Sequence, residues 1–286
     1  MEAKSSMHTN EAGGRFRAGR IIIYACLIIV SVMLIFPLLW ALSTALKSYS
    51  DVISKPFQLL PSTYHLSNFG DIFKTIPFFT YLLNTVKVST LTCAGTLLTS
   101  AMAAYAFARL KFPGRDAIFL IYLSTLMIPR QVVLIPNFII FRTFGMLDTH
   151  WPLVLTGIFT AYGTFLLRQF FMTIPRELEE AAIIDGYGYG HRFVQIILPL
   201  AQPALVTLFI ITLLNIWNEF LFALVFINSD DKRTLTLGLS ILRGDFDVRW
   251  NLVMAATLVA ILPLIVVYLS AQRFFVEGIA LSGVKG

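Results

Sequence analysis

The chain has 286 residues, 57% of them hydrophobic and only 13% charged. Soluble domains carry about 25% charged residues, so a water-soluble globule is excluded. The net charge of +6 is spread over loops and helix flanks, which excludes the single basic face that nucleic acid requires and fits membrane orientation instead.

Residues 1–20 are polar, basic and rich in Gly and Ser, and are expected to form a disordered leader. The charge-free run 21–46 follows. It is too long for a signal-peptide core and no small-residue cleavage site closes it, so it reads as an uncleaved first span. Further charge-free runs occupy 88–108, 149–167, 193–218 and 250–272, while 117–141 is broken only by Arg130. Each meets or nearly meets the roughly 20 residues that cross the hydrocarbon. The short alternating segments of a β-barrel do not occur. The expected fold is an all-α integral membrane protein with six transmembrane helices over 21–276. Pro37, Pro129, Pro136, Pro203 and Pro263 lie within the runs and predict kinks. Pro129 and Pro136, seven apart, lie on about the same face, and read either as the ordinary kinks of membrane helices or as a flexed third span beside a pathway. Cys26 and Cys93 both lie in apolar runs and read as packing residues.

An even number of spans puts both termini on one side. Of the Lys and Arg residues outside the spans, twelve fall on that side and eight opposite. The basic leader and the short 109–116 loop, with Arg109, Lys111 and Arg115, assign that side to the cytoplasm. A polar loop over 168–199 and a tail over 277–286 are then cytoplasmic as well.

Within that loop, Pro175 suits the first turn of a short helix. Glu177, Glu179 and Glu180 would lie near its positive N-terminus, and Gly186 is placed to end it in a left-handed conformation. Leu178, Ala181, Ala182 and Asp185 have the i, i+3, i+4, i+7 spacing of one face, on which two alanines let a partner come close. So short a helix is marginal alone in water and needs support from another surface.

Glu180-Ala181-Ala182, then Gly186 after three residues, then Ile196-Ile197-Leu198-Pro199 after nine more, resembles the cytoplasmic coupling motif of permease subunits from bacterial ABC importers. The resemblance implies an ABC importer permease bundle in the bacterial cytoplasmic membrane. It also implies that Glu180, Ala181, Ala182, Asp185, Gly186, Leu198 and Pro199 dock into a separate ATPase subunit. Trp217-Asn218-Glu219, Thr236-Leu237-Gly238 and Gln272-Arg273 resemble carbohydrate importers of the maltose type. The tail residues Val284, Lys285 and Gly286 resemble the end of that family's smaller permease subunit, where it reaches the ATPase interface. The likeness spans roughly residues 20–286. It implies a homologous second permease, a dimer of ATP-binding subunits, an extracytoplasmic solute-binding protein and surrounding lipid as partners. ATP and Mg would reside on the ATPase, with no cofactor on this chain.

Ionisable groups within spans are expensive and usually face a cavity or a partner. Lys87, Arg130 and Glu219 are expected at matching depth in the outer half of the membrane, so Glu219 can pair with either Arg130 or Lys87. Asn84 lies one turn from Lys87, and Asn215 one turn from Glu219. With Asn218, these residues either line a sugar pathway or form interhelix contacts that never touch substrate. His8, His65, His150 and His191 are far apart and suggest no metal site. No Walker, H-E-x-x-H or G-x-S-x-G sequence occurs, which disfavours an enzyme. An ion-driven carrier using Arg130 and Glu219 as a relay is the rival from another class, and it has no use for a full E-A-A loop. Glycerol phosphate, amino acids and peptides remain alternative solutes.

Overall fold

The computed structural model describes residues 7–244 and 248–283, with side chains at Arg20, 23–244 and 248–272. All regular structure among them is helical. In chain order the helices are α1 (Met7–Ala45), α2 (Tyr49–Ser54), α3 (Ser67–Thr75), α4 (Phe78–Arg109), α5 (Arg115–Ser124), α6 (Leu134–Thr143), α7 (Trp151–Ile158) and α8 (Ala161–Thr173). There follow α9 (Glu177–Ile184), α10 (Tyr189–Arg192), α11 (Leu198–Leu200), α12 (Gln202–Trp217), α13 (Leu221–Phe226), α14 (Leu235–Ile241) and α15 (Trp250–Gly283). The chain divides into two compact units, Met1–Ile72 with Asp245–Leu258, and Phe73–Gly244 with Val259–Gly286.

In the first unit, α1 takes in residues 7–20, where the composition predicts a disordered leader. Once a long apolar helix is nucleated, adding turns costs little. Asn68 donates to the carbonyls of Ala45 (2.8 Å) and Lys47 (2.9 Å), closing the end of α1, and accepts from Asn251 (3.1 Å).

Among the described residues four segments are long and apolar enough to cross a membrane: Ile23–Ala45, Phe78–Arg109, Trp151–Thr173 and Trp250–Gln272. A fifth, Tyr189–Leu200 followed by Gln202–Trp217, is bent by 77°. Pro199 and Pro203 each lack an N–H and crowd the preceding turn. The chain answers with a widened five-residue turn over Phe193–Ile197, in which Leu198 N–H reaches back to the Phe193 carbonyl.

The third predicted span is not one helix. It is α5, a 3₁₀ turn over Thr125–Met127, an irregular stretch, and α6. Ile128 is extended (φ −85°, ψ 114°), as the residue before a proline must be. Pro136 then falls in the first turn of α6, where its missing N–H costs nothing. A second break separates α7 from α8 at Phe159 and Thr160, both extended. Hydrocarbon offers no partner for the carbonyls this exposes. Thr96 and Thr99 of α4 supply them, donating to Gly157 (3.0 Å) and Ile158 (2.7 Å).

Among the described residues of the second unit, two apolar cores are strung along α4. One gathers Ala104, Tyr105, Leu167, Phe171, Ile197 and Leu208. The other gathers Val88, Val154, Ile216, Phe222, Phe226 and Leu237. Gly157 and Gly163 let α7 and α8 close on α4, since a Cβ at either would collide with Thr92 or Ser100. Small residues play this role generally between membrane helices.

Near the second core, Asp148 (φ 55°) organises the loop after α13. It accepts from the backbone N–H groups of Asn228 (2.9 Å) and Ser229 (2.8 Å), the Ser229 hydroxyl and the Lys232 ammonium (2.9 Å). The Ser229 hydroxyl and N–H, then Lys232, hold its carboxyl well below the usual carboxylate range. A lowered folded pKa means stabilisation that is present above the unfolded value near 3.9 and is lost as pH falls below it. Asp148→Ala is expected to speed amide exchange at Asn228 and Ser229 at least about tenfold at pH 7. Wild-type protection should fade on acidification below about pH 4. Unchanged exchange in the variant would show that the loop stands without Asp148.

Candidate functional site

The short helix expected within the 168–199 loop is present as α9. Ile174 is extended (φ −71°, ψ 129°) because Pro175 follows, and this ends α8. Pro175 lies outside the first turn, one residue before the N-cap Arg176, a shift from the expected first-turn position. Glu177, Glu179 and Glu180 occupy the acidic first turn, favoured by the helix dipole. At the other end Gly186 is left-handed (φ 82°). Gly186 N–H bonds the Ile183 carbonyl (3.0 Å) and Tyr187 N–H the Ala182 carbonyl (2.8 Å), a complete Schellman cap. A Cβ at Gly186 would meet nothing within 4 Å. Any other residue there pays only the left-handed backbone cost of about 1–2 kcal/mol.

The predicted face of Leu178, Ala181, Ala182 and Asp185 does not act as one. Ala182 (6% exposed) turns inward beside Glu179 (6%), whereas Glu180, Ala181 and Asp185 are exposed. The outward apolar surface is Leu178, Ile183 and above all Ile184, which is 87% exposed. Leu198 and Pro199, which close the motif, form the short helix at the 77° bend. Val284, Lys285 and Gly286 lie outside the described residues.

Sequence reasoning missed what anchors α9. Arg109 Nε, at the end of α4, pairs with Glu179 Oε1 at 2.9 Å, and Arg192 Nη1, on α10, approaches Glu179 Oε2 at 3.9 Å. The side chains of all three are less than a tenth exposed. Tyr105 donates to Glu179 Oε2 (3.3 Å), and Arg109 also donates to the carbonyls of Phe171 and Ile174, both at 2.6 Å. Arg192 stacks on Tyr189, 4.5 Å from the ring centroid. One buried carboxylate therefore joins α9, α10 and α4, and its arginine also closes the end of α8. The available signal was the i, i+3 pair Glu179 and Ala182 on the inner face of α9, but nothing local said which face was inner.

About 20 Å further along α4, at a rise of 1.5 Å per residue, a cavity of about 350 Å³ opens between the two cores. It sits where helices break, bordered by Ile128, Phe159 and Thr160, with Thr96, Arg130 and Asn215 among its polar walls. Arg130 Nη1 pairs with Glu219 Oε2 at 3.3 Å, and its guanidinium lies 4.9 Å over the Phe222 ring. Glu219 Oε1 accepts the Phe222 N–H (3.0 Å). Both charges stand at helix breaks, Glu219 between α12 and α13, rather than inside a span.

The other expected pathway residues are elsewhere. Asn84 donates to the carbonyls of Asp231 (2.8 Å) and Arg233 (2.9 Å) and fastens that loop to α4. Lys87 is exposed, and among the described residues no ion pair joins it to Glu219. Asn218 donates to the Leu214 carbonyl of its own helix (2.8 Å).

The family described as "Binding-protein-dependent transport system inner membrane component" matches residues 95–280. An inner membrane ABC transporter permease protein of Escherichia coli is 34% identical, over 93% of this chain and 97% of that protein. A diacetylchitobiose uptake system permease protein of Streptomyces coelicolor is 34% identical, over 87% and 84% respectively. Among solved structures, a bacterial ABC transporter involved in import of the acidic polysaccharide alginate superposes with a TM-score of 0.81. It covers 91% of this chain and 97% of that one at 24% identity.

Proposed function

The chain belongs to the family of binding-protein-dependent transport system inner membrane components, and on that premise we propose that it is one permease subunit of an ATP-driven carbohydrate importer. It forms half of the pathway with a homologous second permease and receives solute from an extracytoplasmic binding protein. Both termini and α9 lie in the cytoplasm. ATP and Mg sit on a separate ATPase dimer, which grips the exposed end of α9. The observation that carries this reading is the division of α9 into two sides. Ile184 and its neighbours are left bare, while Glu179 is locked to the end of α4. Movement imposed on the bare side passes through the buried ion pair to α4, whose Thr96 borders the cavity. A guanidinium, an amide and aromatic rings around that cavity suit hydroxyl-rich solutes, which take hydrogen bonds in the plane of the sugar and stack on its faces.

The substitution Ile184→Asp tests the handle. Ile184 is 87% exposed in its own chain, so the variant should fold normally. A charge buried against a partner without a counter-charge is expected to cost several kcal/mol of binding, enough to reduce co-purifying ATPase at least tenfold. Full ATPase recovery with this variant would place the docking surface elsewhere.

A further inference from the structure

The transport reading leaves one charged cleft unused. It lies between the loop after α4 and the approach to α9, has a volume of about 510 Å³, and is lined by Lys111, Phe112, Gly114, Arg115, Asp116 and Arg176 among others. Three of these are cations. The one carboxylate is already committed: Asp116 takes Arg115 at 3.0 Å and Arg168 at 3.6 Å. Those contacts, the hydrogen bond from Arg115 first, hold it below the usual carboxylate range. Among the described residues Lys111 and Arg176 enter no ion pair. Gly114 (φ 75°) is the N-cap of α5 and brings no capping side chain. The positive first turn of a ten-residue helix therefore adds to the cations on the cleft wall.

The cleft is also the start of an apolar lane. The Ile118 Cδ1 atom reaches to 3.8 Å from where a Gly114 Cβ would be, so its tip stands at the rim. Ile118 and Ile121, on one face of α5, are 49% and 69% exposed, and Phe112 on the cleft wall is 37% exposed. A soluble anion has no use for that lane. We propose that the cleft binds an anionic phospholipid, the phosphate held by Lys111 and Arg176 and an acyl chain laid along Ile118 and Ile121. Basic pockets at the membrane boundary select acidic headgroups in this way.

Native mass spectrometry of the full-length chain in neutral detergent tests this, with phosphatidylglycerol and phosphatidylcholine added in equal amounts. The wild type is expected to retain phosphatidylglycerol in preference. The double variant Lys111→Gln/Arg176→Gln should bind it about thirtyfold more weakly, since each of the two basic residues near a lipid surface contributes about 1 kcal/mol. A charge-matched control, Arg142→Gln/Arg243→Gln, should retain the wild-type preference. Four results would overturn the proposal: no headgroup preference; unaltered binding in the cleft variant; equal loss in the control; or binding of inorganic phosphate with no hold on the lipid, which would make this a soluble-anion site.

Discussion

Replacing Glu179 with alanine is expected to stop transport while leaving the spans inserted. The change removes the carboxylate held between Arg109 and Arg192, whose side chains are 5% and 9% exposed. A buried ion pair is weak evidence of net stability, because its desolvation offsets most of its attraction. Removing one partner is different: it strands the opposite charge in a poor solvent and costs about 3–5 kcal/mol. Here two cations would be stranded. They would repel each other or draw water into the joint between α9 and α4. Arg109 keeps its bonds to Phe171 and Ile174, so the end of α8 should hold while α9 comes loose. Glu179→Gln preserves the shape and an acceptor for Tyr105 and should be milder. Two measurements check this. Uptake should fall at least tenfold in the alanine variant. A spin label at position 184, paired with one on α4, should show a broadened distance distribution. Near-normal uptake with an unbroadened distribution would remove Glu179 from the transmission path.

Gly238→Ala is expected to prevent stable folding of the second unit. α14 lies against α4 so closely that a Cβ at position 238 would come within 2.0 Å of the Tyr81 ring. Tyr81 is fully buried, and its hydroxyl donates to Asp230 at 2.8 Å. Swinging the ring away would give up that bond and open a void. Overpacking of this kind costs about 1–3 kcal/mol where neighbours can adjust, and more where they cannot. The α4–α14 contact is tied further, because Thr85 accepts the Leu235 N–H at 2.7 Å. The expected result is a large drop in membrane-inserted protein and in its melting temperature. Gly238→Ala/Tyr81→Leu should recover part of the loss, since the two sites share one space and their effects are not additive. Normal accumulation of the single variant would mean that α14 can lift from α4 at little cost.

The local features of α9 were legible because each depends on neighbours in sequence. Pro175 forces Ile174 to be extended, the glutamates favour the helix N-terminus, and Gly186 takes the left-handed cap. Its inner face was not legible. Four glutamates and alanines in succession, Glu179 to Ala182, fit more than one rotation of a short helix. What selected Glu179 for burial is Arg109, which lies 70 positions earlier. The ionisable residues behaved alike: Arg130 and Glu219 were singled out by their setting in apolar sequence, but their pairing, and the exclusion of Lys87, follow from where the breaks in the third run and after α12 put them.

Length of apolar sequence by itself determined that this is a multi-pass helical membrane protein, because hydrocarbon accepts only backbones that satisfy their own hydrogen bonds. The spacing of Glu180 to Pro199 by itself singled out the segment proposed to dock the ATPase. Only the tertiary structure decided which runs stay continuous. A proline or an extended residue can open a helix in the membrane only where another helix satisfies the freed carbonyls, as Thr96 and Thr99 do for Gly157 and Ile158. That provision comes from α4, some sixty residues away, so the break, the cavity beside it and the buried lock on α9 exist only once the helices are packed.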